Sequence, residues 1–73
     1  MIKNPIDWSD VVFDLLRAGH TVVTIATIAR VSRTTVLDWK QNRNAPRFEA
    51  GDSLVSLWVE VTGKSRETVP RTR

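Results

Sequence analysis

Cysteine is absent from the 73-residue chain and histidine occurs once. No apolar run approaches the ~20 residues that a helix needs to cross a bilayer. Each absence removes a class of protein. Without Cys there is no disulfide, and a reducing compartment suits the chain. His20 stands alone among singly scattered carboxylates, so no metal and no cofactor is expected, and no small-molecule ligand either. With no glycine-rich phosphate loop and no clustered carboxylates, catalysis has no residues to work with. The N-terminus MIKNPIDWSD lacks the basic-then-apolar order of a signal peptide. The expectation is a soluble, cytoplasmic, whole small protein that is not an enzyme and not bound to a membrane.

What is present is a small core and an uneven charge. A chain of this size makes one domain that is marginal alone, and self-association is the supplement left once disulfides and metals are removed. The net charge of +3 conceals its distribution. Residues 1–16 hold Lys3 against Asp7, Asp10 and Asp14. Residues 17–47 hold Arg17, Arg30, Arg33, Lys40, Arg43 and Arg47 against Asp38 alone. Residues 48–63 carry Glu49, Asp52 and Glu60 and no base, and the last ten, KSRETVPRTR, are basic again. A basic middle and a basic tail between acidic segments suit one face and one arm directed at a polyanion. A solvated surface with chance segregation is the plainer alternative.

The segment IDWSDVVFDLLRAG carries both ends of a helix. Asp7 is placed to cap it, and Asp10 adds a carboxylate near the positive end of the dipole. Ile6 and Val11 have the spacing of a hydrophobic staple. Trp8, Val11, Val12, Leu15 and Leu16 recur at helical spacing up to the stop at Gly19. The next stretch is at odds with itself. HTVVTIATIAR is rich in β-branched residues that favour strands, yet Val22, Ile25, Ala26 and Ala29 form a stripe at spacings of three and four. Propensity differs by under ~1 kcal/mol per residue and yields to packing, so the pattern predicts a helix over 22–29, capped by Thr21. Ser32 caps another, over 32–41, with Val36 and Trp39 inward. Asn42 suits a left-handed stop, and Ala45-Pro46 breaks the chain. FEAGDSLVSLWVEVTG places Leu54, Leu57, Trp58 and Val61 at helical spacing before Gly63, with a short strand from Val59 as the competing reading. The fold class expected is all-α, a bundle of four to five helices over 1–63. The basic tail, 64–73, reads as extended, disordered or a short strand.

Between Gly19 and Pro46 the sequence resembles the helix-turn-helix of the phage Cro and repressor family. The resemblance rests on Thr21, Ile25, Ala26, Val31, Ser32, Val36, Trp39, Arg43 and Pro46, in register without a gap. More loosely, it extends over residues 7 to 62. Two positions depart from the pattern. Arg30 stands where the turn commonly has Gly, and Val22 where a polar Gln often reaches the nucleic acid. The first weakens the turn; the second removes a customary contact.

The resemblance implies a lambda repressor-like bundle with a central helix-turn-helix that binds double-stranded DNA at an operator. The second helix of such a motif lies in the major groove with its N-terminal residues toward base edges. Arg33, Thr34, Leu37 and Asp38 are then the base-reading candidates. A guanidinium donates twice to guanine. Leu37 suits a thymine methyl, or is simply an exposed leucine. Asp38 accepts from a cytosine amino group, orients Arg33, or pairs with Lys40 or Asn42. Thr21, Ser32, Lys40, Gln41, Arg43, Asn44 and Arg47 are the phosphate candidates, which position without reading sequence. Trp8, Trp39 and Trp58 are core residues, and His20 is a loop residue. A homodimer is implied, with Trp58, Val59 and Val61 as its expected interface. The tail is an arm on the DNA or a solubilising extension. The alternative function is a protein-interaction module, an antirepressor or antitoxin, on the same scaffold.

Overall fold

A computed structural model describes residues 5–72. Lys3, in the acidic N-terminal segment, and Arg73, at the end of the basic tail, lie outside the described residues. Four helices follow in order: α1 Trp8–Arg17, α2 Val22–Ala29, α3 Arg33–Lys40 and α4 Phe48–Thr62, then a 3-10 turn at Arg66–Thr68. The all-α class is the one expected. No described helix is long and apolar enough to cross a membrane.

The first three helices start by one device. Asp7 Oδ1 accepts from the Asp10 N–H at 3.1 Å, Thr21 Oγ1 from Thr24 at 3.1 Å, and Ser32 Oγ from Thr35 at 3.3 Å. Each satisfies one of the amides that a helix N-terminus leaves unpaired. The stops also fall where side-chain chemistry puts them. Gly19, Asn42 and Gly63 all have positive φ, at 102°, 59° and 69°.

α1 packs on α3 and α4, and α2 packs on the same two helices from the other side. The shared core is Val11, Val12, Leu15, Ile25, Ala26, Ala29, Val36, Trp39, Leu54, Val55 and Trp58, with Val69 added from the tail. In α4 the deeply buried stripe is Leu54, Val55 and Trp58, while Leu57 and Val61 are only partly covered. The helix runs on through Val59 to Thr62, so the competing strand is not formed. Thr62 Oγ1 donates to the Trp58 carbonyl at 2.7 Å, and Gly63 ends the last turn in the left-handed region.

The tail differs most from expectation. It is neither disordered nor a free arm. Val69 is only 4% exposed. Asp7 N–H donates to the Pro70 carbonyl at 2.8 Å, Thr72 N–H donates to the Pro5 carbonyl at 2.9 Å, and Ile6 and Arg71 form an antiparallel bridge. Arg66 reaches back to α4, bonding Ser56 Oγ at 3.0 Å and pairing with Asp52. One apolar side chain and backbone hydrogen bonds tie residues 69–72 to residues 5–7 and the core. The extended alternative was therefore closer, as a strap laid across the entrance to α1.

Candidate nucleic-acid interface

The connection from α2 to α3 is three residues, Arg30 to Ser32, and its geometry decides where α3 points. Arg30 adopts φ 59° and ψ 46°, the left-handed conformation that a glycine would take without strain. That twist lets the Val31 N–H donate to the Ala26 carbonyl at 2.9 Å, closing the end of α2. Val31 packs partly buried against the core. Ala26, 4% exposed, leaves the two helices room to cross. Ser Oγ at 32 then opens α3 directly. A helix of β-branched residues survives because Ile25, Ala26 and Ala29 are buried beneath its neighbours.

Val36 and Trp39 are buried, so the opposite face of α3 is turned outward. Arg33, Thr34 and Leu37 are exposed on it, and Asp38 is partly covered at its edge. Thr21, Val22 and Val23, at the N-terminus of α2, line one shallow depression with Arg33, Thr34 and Leu37. Hydrogen-bond donors, a guanidinium and three apolar side chains thus share one open surface. The Asp38 carboxylate forms no ion pair among the described residues, so it does not hold Arg33 or Lys40.

The phosphate candidates divide. Arg43 and Gln41 are exposed at the C-terminal end of α3, and the loop there is tied by Arg43 N–H donating to the Asp38 carbonyl at 2.8 Å. Lys40 lies on the α1 flank, its ammonium 5.3 Å from the centre of the Phe13 ring. Ser9 Oγ donates to the Lys40 carbonyl at 2.6 Å and fixes that end of α3 to α1. Asn44 and Arg47 sit on the other flank, beside a separate cleft with Thr35. Thr21 and Ser32 are committed to capping. Thr21 Oγ1 donates to Thr24 Oγ1 at 3.0 Å besides accepting from its amide. Ser32 Oγ shares a hydrogen bond with Thr35 Oγ1 at 3.0 Å. Thr21 would have to exchange a partner to donate to a phosphate, whereas Ser32 keeps a free proton when Thr35 is the donor of their shared bond. Arg17 pairs with Asp14 within α1 and so leaves the basic surface.

Trp58 does not belong to a dimer surface. It is 1% exposed, and its Nε1–H donates to Asp14 Oδ2 at 2.9 Å. The ring fills the chain's own core and has no area left to offer a partner. Val59 and Val61 are partly buried beside it.

Four apolar residues escaped the sequence reading as surface features. Phe48 is 87% exposed and Val23 54%, with Phe13 and Ile28 less so. For Phe48 the spacing gave no signal, since it stands three residues before the buried Gly51 and seven before Val55. Comparison of the chain with protein-family profiles, with curated proteins and with solved structures finds no match.

Proposed function

We propose that this is a sequence-specific, non-enzymatic DNA-binding regulator of the phage Cro-like repressor type. It acts in the cytoplasm on the nucleoid and binds a two-fold operator as a homodimer. One observation carries the reading: Arg33, Thr34 and Leu37 stand out together from a helix whose other face is pinned by Val36 and Trp39, next to the N-terminus of α2. In the major groove α3 would bring Arg33 to a guanine edge and Leu37 to a thymine methyl, with Thr34 adaptable to either and Asp38 available to a cytosine amino group. The unpaired amides at the start of α2 and the exposed Arg43 and Gln41 would meet phosphates on either side. Occluding RNA polymerase is the simplest consequence of such binding.

Selection of bound sequences from random DNA tests this, repeated with two variants. Arg33→Ala should relax the preference at one position per half-site, with roughly 1–3 kcal/mol less discrimination. Arg43→Ala should weaken all sequences alike and flatten the salt dependence. If no sequence is enriched, or the two variants behave identically, the reading fails.

A second reading has the apolar exposure of Val23 and Leu37 in its favour. On that reading the same surface grips a protein. DNA binding through several phosphates weakens steeply as salt rises, whereas an apolar protein contact does not, so a salt titration separates the two.

A further inference from the structure

The exposed apolar residues at the turn and beyond fall in two places. Val23 and Leu37 belong to the face of α3 described above. Phe48 does not. It is the first residue of α4 and the most exposed large apolar side chain of the described residues. Beside it a cleft of about 960 Å³ opens between the end of α2, the flank of α3 and the start of α4, lined by Ile28, Val31, Trp39, Pro46 and Ala50 among others. Arg47 and Glu49, on either side of Phe48, are exposed and form no ion pair among the described residues.

We propose that this patch docks a second copy of the chain, with Phe48 of each copy laid over the cleft of the other. The proposal rests on the two-fold reading above and names its surface, in place of the buried Trp58. Three features select a second copy as the occupant. A projecting ring and a cleft of mixed polar and apolar lining lie side by side on one patch, and a ring laid on the apolar part of that cleft gives the self-complementarity that an isologous contact needs. Arg47 and Glu49 both border the cleft, so a two-fold contact there can set Arg47 of each copy against Glu49 of the other, and the charges match as well. The cleft reaches α3 only at Thr35 and Trp39, so docking there leaves Arg33, Thr34 and Leu37 uncovered. With the axis parallel to the direction in which those side chains point, both recognition faces lie on one side.

The area sets the strength. An aromatic ring buries ~150–250 Å², so two rings and the surfaces that they cover come to roughly 600–1,000 Å². Stable interfaces begin near ~1,200 Å². The dimer is therefore weak in free solution and is completed on DNA. Arg47, expected from the sequence to meet a phosphate, becomes an interface residue.

The absence of native cysteine gives a clean test. Ala45→Cys, exposed in the cleft lining with Phe48 kept, should be bridged into a covalent dimer by a short bis-maleimide at least about tenfold faster than Glu60→Cys, which sits exposed at the far end of α4. In sedimentation at hundreds of micromolar the unaltered chain should self-associate. Phe48→Glu and Arg47→Glu should each weaken this by about tenfold or more, with helical content unchanged, since both side chains are exposed. The double variant R47E/E49R should recover most of the association, because the pair is only reversed. A chain that stays monomeric alone and on palindromic DNA would overturn the proposal and leave the cleft to another occupant. So would equal bridging at positions 45 and 60, or a double variant as weak as Arg47→Glu. Palindromic selected sites and a dimer indifferent to all of these substitutions would overturn the surface alone; selected sites without two-fold symmetry would overturn the operator reading itself.

Discussion

Replacing Arg30 by glycine should make the protein more stable. Arg30 is the hinge between α2 and α3 and is held at φ 59° and ψ 46°. For a residue with a Cβ that conformation costs roughly 1–2 kcal/mol. Glycine removes the cost but gives the unfolded chain about 0.4–1 kcal/mol of extra conformational freedom. The difference leaves roughly 0.5–1 kcal/mol in favour of Arg30→Gly. In a domain of this size each kcal/mol moves Tm by ~4–8 °C, so a rise of about 2–8 °C is expected. The Arg30 side chain is exposed and forms no ion pair among the described residues, so deleting it removes little else. Arg30→Ala is the matched control: it deletes the same side chain, keeps the Cβ, and should stay within about 0.5 kcal/mol of the parent. Thermal and urea unfolding followed by circular dichroism measure all three proteins. If Arg30→Gly is no more stable than Arg30→Ala, strain is not stored at this turn. The view that Ala26 and Val31 hold the turn against its local preference would then be wrong.

Three further substitutions probe the frame around the site. Trp58→Phe keeps most of the ring volume but removes the donor to Asp14, and urea unfolding should record a loss of about 1–2 kcal/mol. Val69→Ser should cost about 1.5–2.5 kcal/mol of transfer and packing energy, and hydrogen exchange at the Asp7 amide should quicken as the strap loosens. No change in that amide would mean that the tail does not hold the start of α1. Leu37→Ala should leave stability within about 0.5 kcal/mol of the parent while lowering affinity for selected DNA, read by fluorescence anisotropy.

Much of this fold was legible because local chemistry and spacing agreed. Asp7, Thr21 and Ser32 mark three helix starts, each bonded to the amide three residues on. Asn42 and Gly63 mark two ends. Even α2, with six β-branched residues of its eight, was readable, since its stripe of Ile25, Ala26 and Ala29 outweighs a small propensity term. The outward residues of α3 followed from the inward pair Val36 and Trp39 by helical geometry alone. What stayed hidden depends on contacts far apart in sequence. The strap is held by backbone groups more than sixty residues distant and by one valine, none of which leaves a periodic trace. Trp58 looks the same in sequence whether it fills its own core or a partner's. Its bond to Asp14, forty-four positions away, is what assigns it inward. Phe48 is the converse, an aromatic residue that a helix start carries past the edge of the core.

Backbone amide resonances followed during titration with a selected duplex test the central claim most directly. The largest shifts should fall on Arg33, Thr34 and Leu37 and on Val22 and Val23 at the start of α2, and should shrink as salt is raised. Shifts confined to α1 and the C-terminal strap, or none at all with DNA in excess, would mean that the exposed face of α3 is not the surface that meets DNA.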